Sequence, residues 1–116
     1  MERVLGIGGY FLRAADPAAL SAWYRDVLGL TAEHGVWTQD DGPTVFATFD
    51  ADTDYFGSHD QRVMLDFRVR DLDAMLVQLR ASGADVAPEI QELDGVGRFG
   101  WVTDPEGNRI ELWQPA

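Results

Sequence analysis

The chain has 116 residues, 46% of them hydrophobic, with 9 basic against 20 acidic side chains, a net charge of −11 and no cysteine. That length makes one domain; the missing thiols exclude a disulfide framework, a cysteine-held zinc or iron–sulfur centre and a thiol nucleophile, and the charge argues against nucleic acid, whose phosphates need a basic face. No apolar run approaches the ~20 residues of a membrane-spanning helix, and the first twelve residues lack a basic start and a small-residue cleavage site, so a cytoplasmic protein with no membrane partner is expected.

In chain order, Leu12-Arg13-Ala14-Ala15 leads to Asp16 and Pro17, a helix N-cap followed by a proline at the first helical position. Leu20, Trp23, Tyr24, Val27 and Leu28 form one apolar stripe, and Gly29 stands where a left-handed C-terminal residue belongs. This predicts a helix over 17–28. Strand patterns follow near Thr31–Glu33, Gly35–Gln39 and Thr44–Phe49, the last two separated by the turn Asp40-Asp41-Gly42-Pro43. Residues 50–61 read as an acidic, turn-rich linker.

The second half starts again. Val63, Leu65, Phe67 and Val69 alternate with Met64, Asp66, Arg68 and Arg70, the period of a half-buried strand. Asp71 caps a helix over 72–82 whose stripe is Leu72, Met75, Leu76 and Leu79, and Gly83 ends it. Strand patterns follow at Asp85–Pro88, with a weaker one at Glu89–Leu93, then at Gly100–Thr103 and Arg109–Trp113, with Asp104-Pro105-Glu106-Gly107-Asn108 as the closing turn. Arg13 and Arg68 are 55 residues apart, as are Asp16 and Asp71. The chain is therefore one unit written twice, about 1–56 and 62–116, within a single domain over 1–116. Each unit reads strand, helix, three strands.

Three apparent motifs carry no chemistry. Gly95-Val96-Gly97-Arg98-Phe99-Gly100 spells a dinucleotide fingerprint, but a strand pattern follows it where a helix is required. Asp50, Asp52 and Asp54 resemble the start of a calcium loop, but Tyr55 and Gln61 occupy the positions of its Gly and Glu. His34 and His59 lie in turn-rich segments with no ligand at helical spacing.

Trp23-Tyr24-Arg25-Asp26-Val27-Leu28-Gly29-Leu30, Phe67-Arg68-Val69-Arg70-Asp71-Leu72 and Asp104-Pro105-Glu106-Gly107-Asn108-Arg109-Ile110-Glu111-Leu112-Trp113 resemble motifs of the vicinal oxygen chelate superfamily. It includes glyoxalase I, bleomycin-resistance proteins and extradiol dioxygenases. The resemblance spans nearly the whole chain. It implies an α+β fold of two tandem βαβββ units that form a cup-shaped mixed sheet with helices outside, and a homodimer in which one cup can draw walls from both chains. Enzymes of the superfamily hold a divalent ion inside the cup. Carried over residue by residue, their ligand positions fall on Gly9, Ala47, Met64 and Glu111. Only Glu111 retains a hard-ion ligand, since glycine and alanine offer no donor and a thioether is soft. No metal and no cofactor are therefore expected.

Strand parity then names the cup's contents. With Met64 and Glu111 facing inward, Asp66, Arg68 and Trp113 do too, and the 55-residue offset adds Phe11 and Arg13, with Phe49 from the opposite edge. Phe11, Arg13, Phe49, Met64, Asp66, Arg68, Glu111 and Trp113 are the candidate ligand-binding residues. Asp66 and Glu111 are the candidate acid–base groups. The charges leave a second reading open, in which Arg13, Asp66, Arg68 and Glu111 form an ion-pair network that satisfies itself. The expected function is binding of a small organic molecule without a catalytic metal. The alternatives are a lyase, isomerase or dioxygenase-type enzyme, metal-dependent only under a different ligand alignment, and a regulatory subunit with a vestigial cup.

Overall fold

The computed structural model describes all residues, 1–116. Helix α1 spans Pro17–Asp26 and α2 spans Leu72–Ala81. The five strands are β1 (Asp66–Arg68), β2 (Asp85–Val86), β3 (Gln91–Leu93), β4 (Gly97–Thr103) and β5 (Arg109–Pro115). They form one mixed sheet in the order β1-β5-β4-β2, with β3 also pairing β4. The β1–β5 pair is parallel and the others are antiparallel. No helix is long and apolar enough to cross a membrane.

Both helices start and stop as their sequences dictate. Asp16 and Asp71 accept hydrogen bonds from Ala19 N at 3.1 Å and Ala74 N at 3.0 Å, satisfying donors that the first turn leaves free. Gly29 and Gly83 take φ of +74° and +80°, and across them Leu30 N donates to Tyr24 O and Ala84 N to Leu79 O.

The main core lies between the helices and one face of the sheet. Leu20 and Tyr24 of α1 and Leu72, Leu76 and Leu79 of α2 pack with Val102, Ile110 and Leu112. The closing turn fastens the two halves. Glu106 accepts from Ala15 N at 2.9 Å and Asp16 N at 3.1 Å, at the start of α1. Asp104, buried in the turn, accepts from Tyr24 Oη at 2.7 Å. At the other end of α1, Gln78 Nε2 donates to Val27 O at 2.8 Å.

The α+β class, the two outer helices and the mixed sheet match expectation, but the units are unequal. All five strands belong to the second unit. In the first, the patterns at 31–33, 35–39 and 44–49 and the stretch before Asp16 form no ladder, apart from an isolated bridge between Glu33 and Val36. Gly6, Gly8 and Gly9 offer no side chains for packing and much backbone freedom to lose, and a Cβ at Gly6 or Gly8 would meet nothing within 4 Å. Thr44–Phe49 has strand-forming residues but no paired neighbour, so Phe46 is 88% exposed.

Candidate functional site

Alternation along β4 and β5 divides their side chains. Val102, Ile110 and Leu112 go under the helices, and Gly100 lies against them, where a Cβ would meet Leu76 and Leu72 at 3.3–3.4 Å. Phe99, Trp101 and Trp113 emerge on the opposite face as a second apolar cluster, with Tyr55 and Met64 packed on it. This face borders an open cleft of about 1470 Å³, into which β1 places Asp66 and Arg68 and β5 places Glu111.

At its base lie two carboxyl groups. Asp66 and Glu111 are register partners across the parallel β1–β5 pair. Burial first, and then the adjacent Glu111 carboxyl, push Asp66 up to about 8, against the opposing pull of Arg68. Two like charges so close and so poorly hydrated do not both ionise readily, which keeps the Asp66 carboxyl protonated well above the usual carboxylate range.

One oxygen of the pair is engaged by the protein itself. Glu111 Oε2 accepts from Trp101 Nε1 at 3.1 Å and from Tyr55 Oη. Tyr55 stacks on Phe49, with ring centroids 5.3 Å apart and planes at 16°, and meets Trp101 edge-on. Burial and Glu111 raise its hydroxyl far above the usual tyrosine range, so it stays a donor. Arg109 lies over the Trp101 ring, 5.2 Å from its centroid, and donates from Nε to Tyr55 O at 3.2 Å. Gln61 fixes the Arg109 backbone by bonding both its N–H and its carbonyl at 2.8 Å.

Six of the candidate residues meet in the cleft: Phe49, Met64, Asp66, Arg68, Glu111 and Trp113. Phe11 and Arg13 do not. Phe11 is 97% exposed and edges a separate hollow of about 240 Å³, and Arg13 is exposed and borders neither. Gly9 also lies outside the cleft. Parity fails there because it needs a paired, pleated strand, and residues 9–13 form none. The ion-pair network does not form either. The four ion pairs of the chain join Arg25 to Asp26, His59 to Asp54, and Arg98 to both Asp73 and Glu92. Tyr55 and Trp101 are the residues that sequence reasoning missed. Tyr55 sits in a linker, where no periodicity assigns direction, and the facing of Trp101 depends on the β4–β5 register that sets it opposite Glu111.

A divalent ion does not suit these groups. Nowhere do three His, Cys, Asp or Glu side chains converge. Glu111 is engaged by two protein donors, and the cleft sets beside it a thioether, Met64, and the Asp66 carboxyl, which burial and Glu111 hold toward its neutral form.

A family model described as a glyoxalase-like domain matches residues 10–113. No curated protein matches the chain. Among solved structures, TnmS3, an antibiotic-binding protein from Streptomyces sp. CB03234, is 23% identical with a TM-score of 0.64 and full coverage of both chains. The genomically encoded fosfomycin resistance protein FosX from Listeria monocytogenes is 15% identical over 98% of this chain and 96% of its own, with a TM-score of 0.67. A lactoylglutathione lyase from Agrobacterium tumefaciens is 18% identical over 97% and 96%, with a TM-score of 0.60. At these identities the likeness is one of fold.

Proposed function

The chain belongs to the glyoxalase-like domain family, within the vicinal oxygen chelate superfamily, and on that premise we propose that it binds a small organic molecule in its cleft without a catalytic metal. One observation carries the reading. At the one retained ligand position of the superfamily's metal enzymes, Glu111 accepts from Tyr55 and Trp101 and lies in register beside Asp66, beneath walls supplied by Phe49, Phe99 and Trp113. Apolar walls around a few fixed polar groups suit an organic ligand. The likeness to an antibiotic-binding protein is in keeping with it.

The reading includes a cytoplasmic homodimer. Val4, Leu5 and Phe46 are each at least 88% exposed, and covering such side chains in a second copy would remove apolar surface from water. Sedimentation should give twice the chain mass at micromolar concentration; a monomer would reject this element alone.

A thermal-shift screen of aromatic small molecules in the presence of EDTA tests the ligand reading. At least one compound should raise the melting temperature of the native protein and leave Trp113→Ala unmoved. Stabilisation that requires an added divalent ion would overturn the metal-free reading.

A second reading is favoured by Asp66 alone. A carboxyl that titrates near 8 could move a proton at a carbon next to a carbonyl, as a metal-independent lyase or isomerase requires. Solvent deuterium entering that carbon of a bound carbonyl compound, and failing to enter with Asp66→Asn, would establish it.

A further inference from the structure

We infer that the group recognised in the cleft is an oxyanion, a carboxylate or phosphate on an aromatic or apolar body, and that Arg68 is the residue that grips it. The inference rests on the ligand-binding reading above and names the ligand's chemistry.

The hydrogen-bonding state of the cleft points this way. Its buried acid, Glu111, already accepts two hydrogen bonds on one oxygen, from Tyr55 and Trp101, and adjoins Asp66. Arg68 is the opposite case. It is half-buried beside the cleft, forms no ion pair within 4 Å, and makes one hydrogen bond, from Nη2 to the Asp40 carbonyl at 2.9 Å. A guanidinium has five N–H donors in a planar fork that fits two oxygens of a carboxylate or phosphate. Most of that capacity is unused. Arg62, Arg68 and Arg70 border the cleft together with Asp40, Asp50, Asp66 and Glu111, and Arg68 is the half-buried arginine among them.

Gly42 sets the position of the fork. The guanidinium lies against its backbone, and a Cβ there would overlap Nη1 and stand 2.7 Å from Cζ. Gly42 does not adopt a positive φ, so its backbone accepts alanine. The atoms that must yield are the far end of a flexible side chain, so Gly42→Ala shifts the fork while keeping its charge and costs the fold little.

Calorimetry with 2-naphthoate, 2-naphthamide and 2-naphthylmethylammonium tests this. Naphthoate should bind the native protein at least tenfold more tightly than the isosteric amide, and inorganic phosphate should compete with it. Arg68→Ala should abolish the preference while the weak affinity for the amide stays. Arg68→Lys and Gly42→Ala should reduce it severalfold, as expected if geometry as well as charge matters. Amide or ammonium binding as tight as naphthoate would overturn the oxyanion assignment and leave the ligand cleft standing. Binding of none of the three at millimolar concentration would remove the ligand-cleft reading and this inference with it. A carboxylate preference that survives in Arg68→Ala would place the anion elsewhere.

Discussion

Tyr24 Oη donates to Asp104 Oδ2 at 2.7 Å across 80 residues of sequence, and this one buried hydrogen bond ties the helix of the first unit to the closing turn of the second. Asp104 also accepts from the backbone of Glu106 and from both nitrogens of Asn108. Burial, with Asp104 adding to it, raises the Tyr24 hydroxyl far above its usual range, so it stays a donor. Tyr24→Phe keeps the ring and removes the donor. It should destabilise the protein by about 1–2 kcal/mol in urea unfolding. An unchanged midpoint would mean that the bond does not tie the halves.

Glu106 reaches back from the same turn to the free N–H groups at the start of α1. A carboxylate there satisfies donors and complements the helix dipole. Glu106→Ala should cost about 1 kcal/mol, and amide exchange at Ala15 and Asp16 should accelerate. Exchange as slow as in the native protein would contradict the contact.

The carboxyl pair makes stability depend on pH. The folded state holds the Asp66 proton up to about 8, whereas an unfolded aspartate releases it near ~3.9. Between these values the folded chain keeps a proton that the unfolded chain has lost. Stability should therefore fall as pH rises through this window and level off above it. Unfolding midpoints at pH 5 and pH 8 measure the slope, and Asp66→Asn should flatten it. The same slope in the variant would place the proton elsewhere.

A ligand that binds only the folded state raises its melting temperature. Manganese, nickel or zinc at micromolar concentration should therefore leave the melting temperature within about 1 °C, and so should dialysis against a chelator. A shift of several degrees would show that these side chains assemble a metal site after all.

Both helices were legible in the sequence to within two residues, because their ends depend on neighbours in the chain. An aspartate cap, a proline at the first position and a glycine free to take positive φ act locally. The facing of Asp66, Arg68, Glu111 and Trp113 was legible for a related reason. Their strands are paired, and a paired strand alternates its side chains whatever lies beyond. The fold class was legible through the resemblance of three motifs, the ending of the first helix, the opening of the second unit and the closing hairpin, to the vicinal oxygen chelate superfamily.

Tertiary structure decided the rest. Phe11 and Arg13 obey the same alternation on paper, yet stand outside the cleft, because residues 9–13 found no partner strand. Tyr55 reads as a linker residue until the fold brings it, 56 positions away in sequence, to the Glu111 carboxylate. That Arg68 meets a loop carbonyl and not a carboxylate is likewise a matter of where residues 40–42 come to rest. Caps and strand parity are set by covalent neighbours and by the backbone's own geometry. The partners of a buried charge are set by which distant segments pack over it, and no local pattern in this chain specifies that.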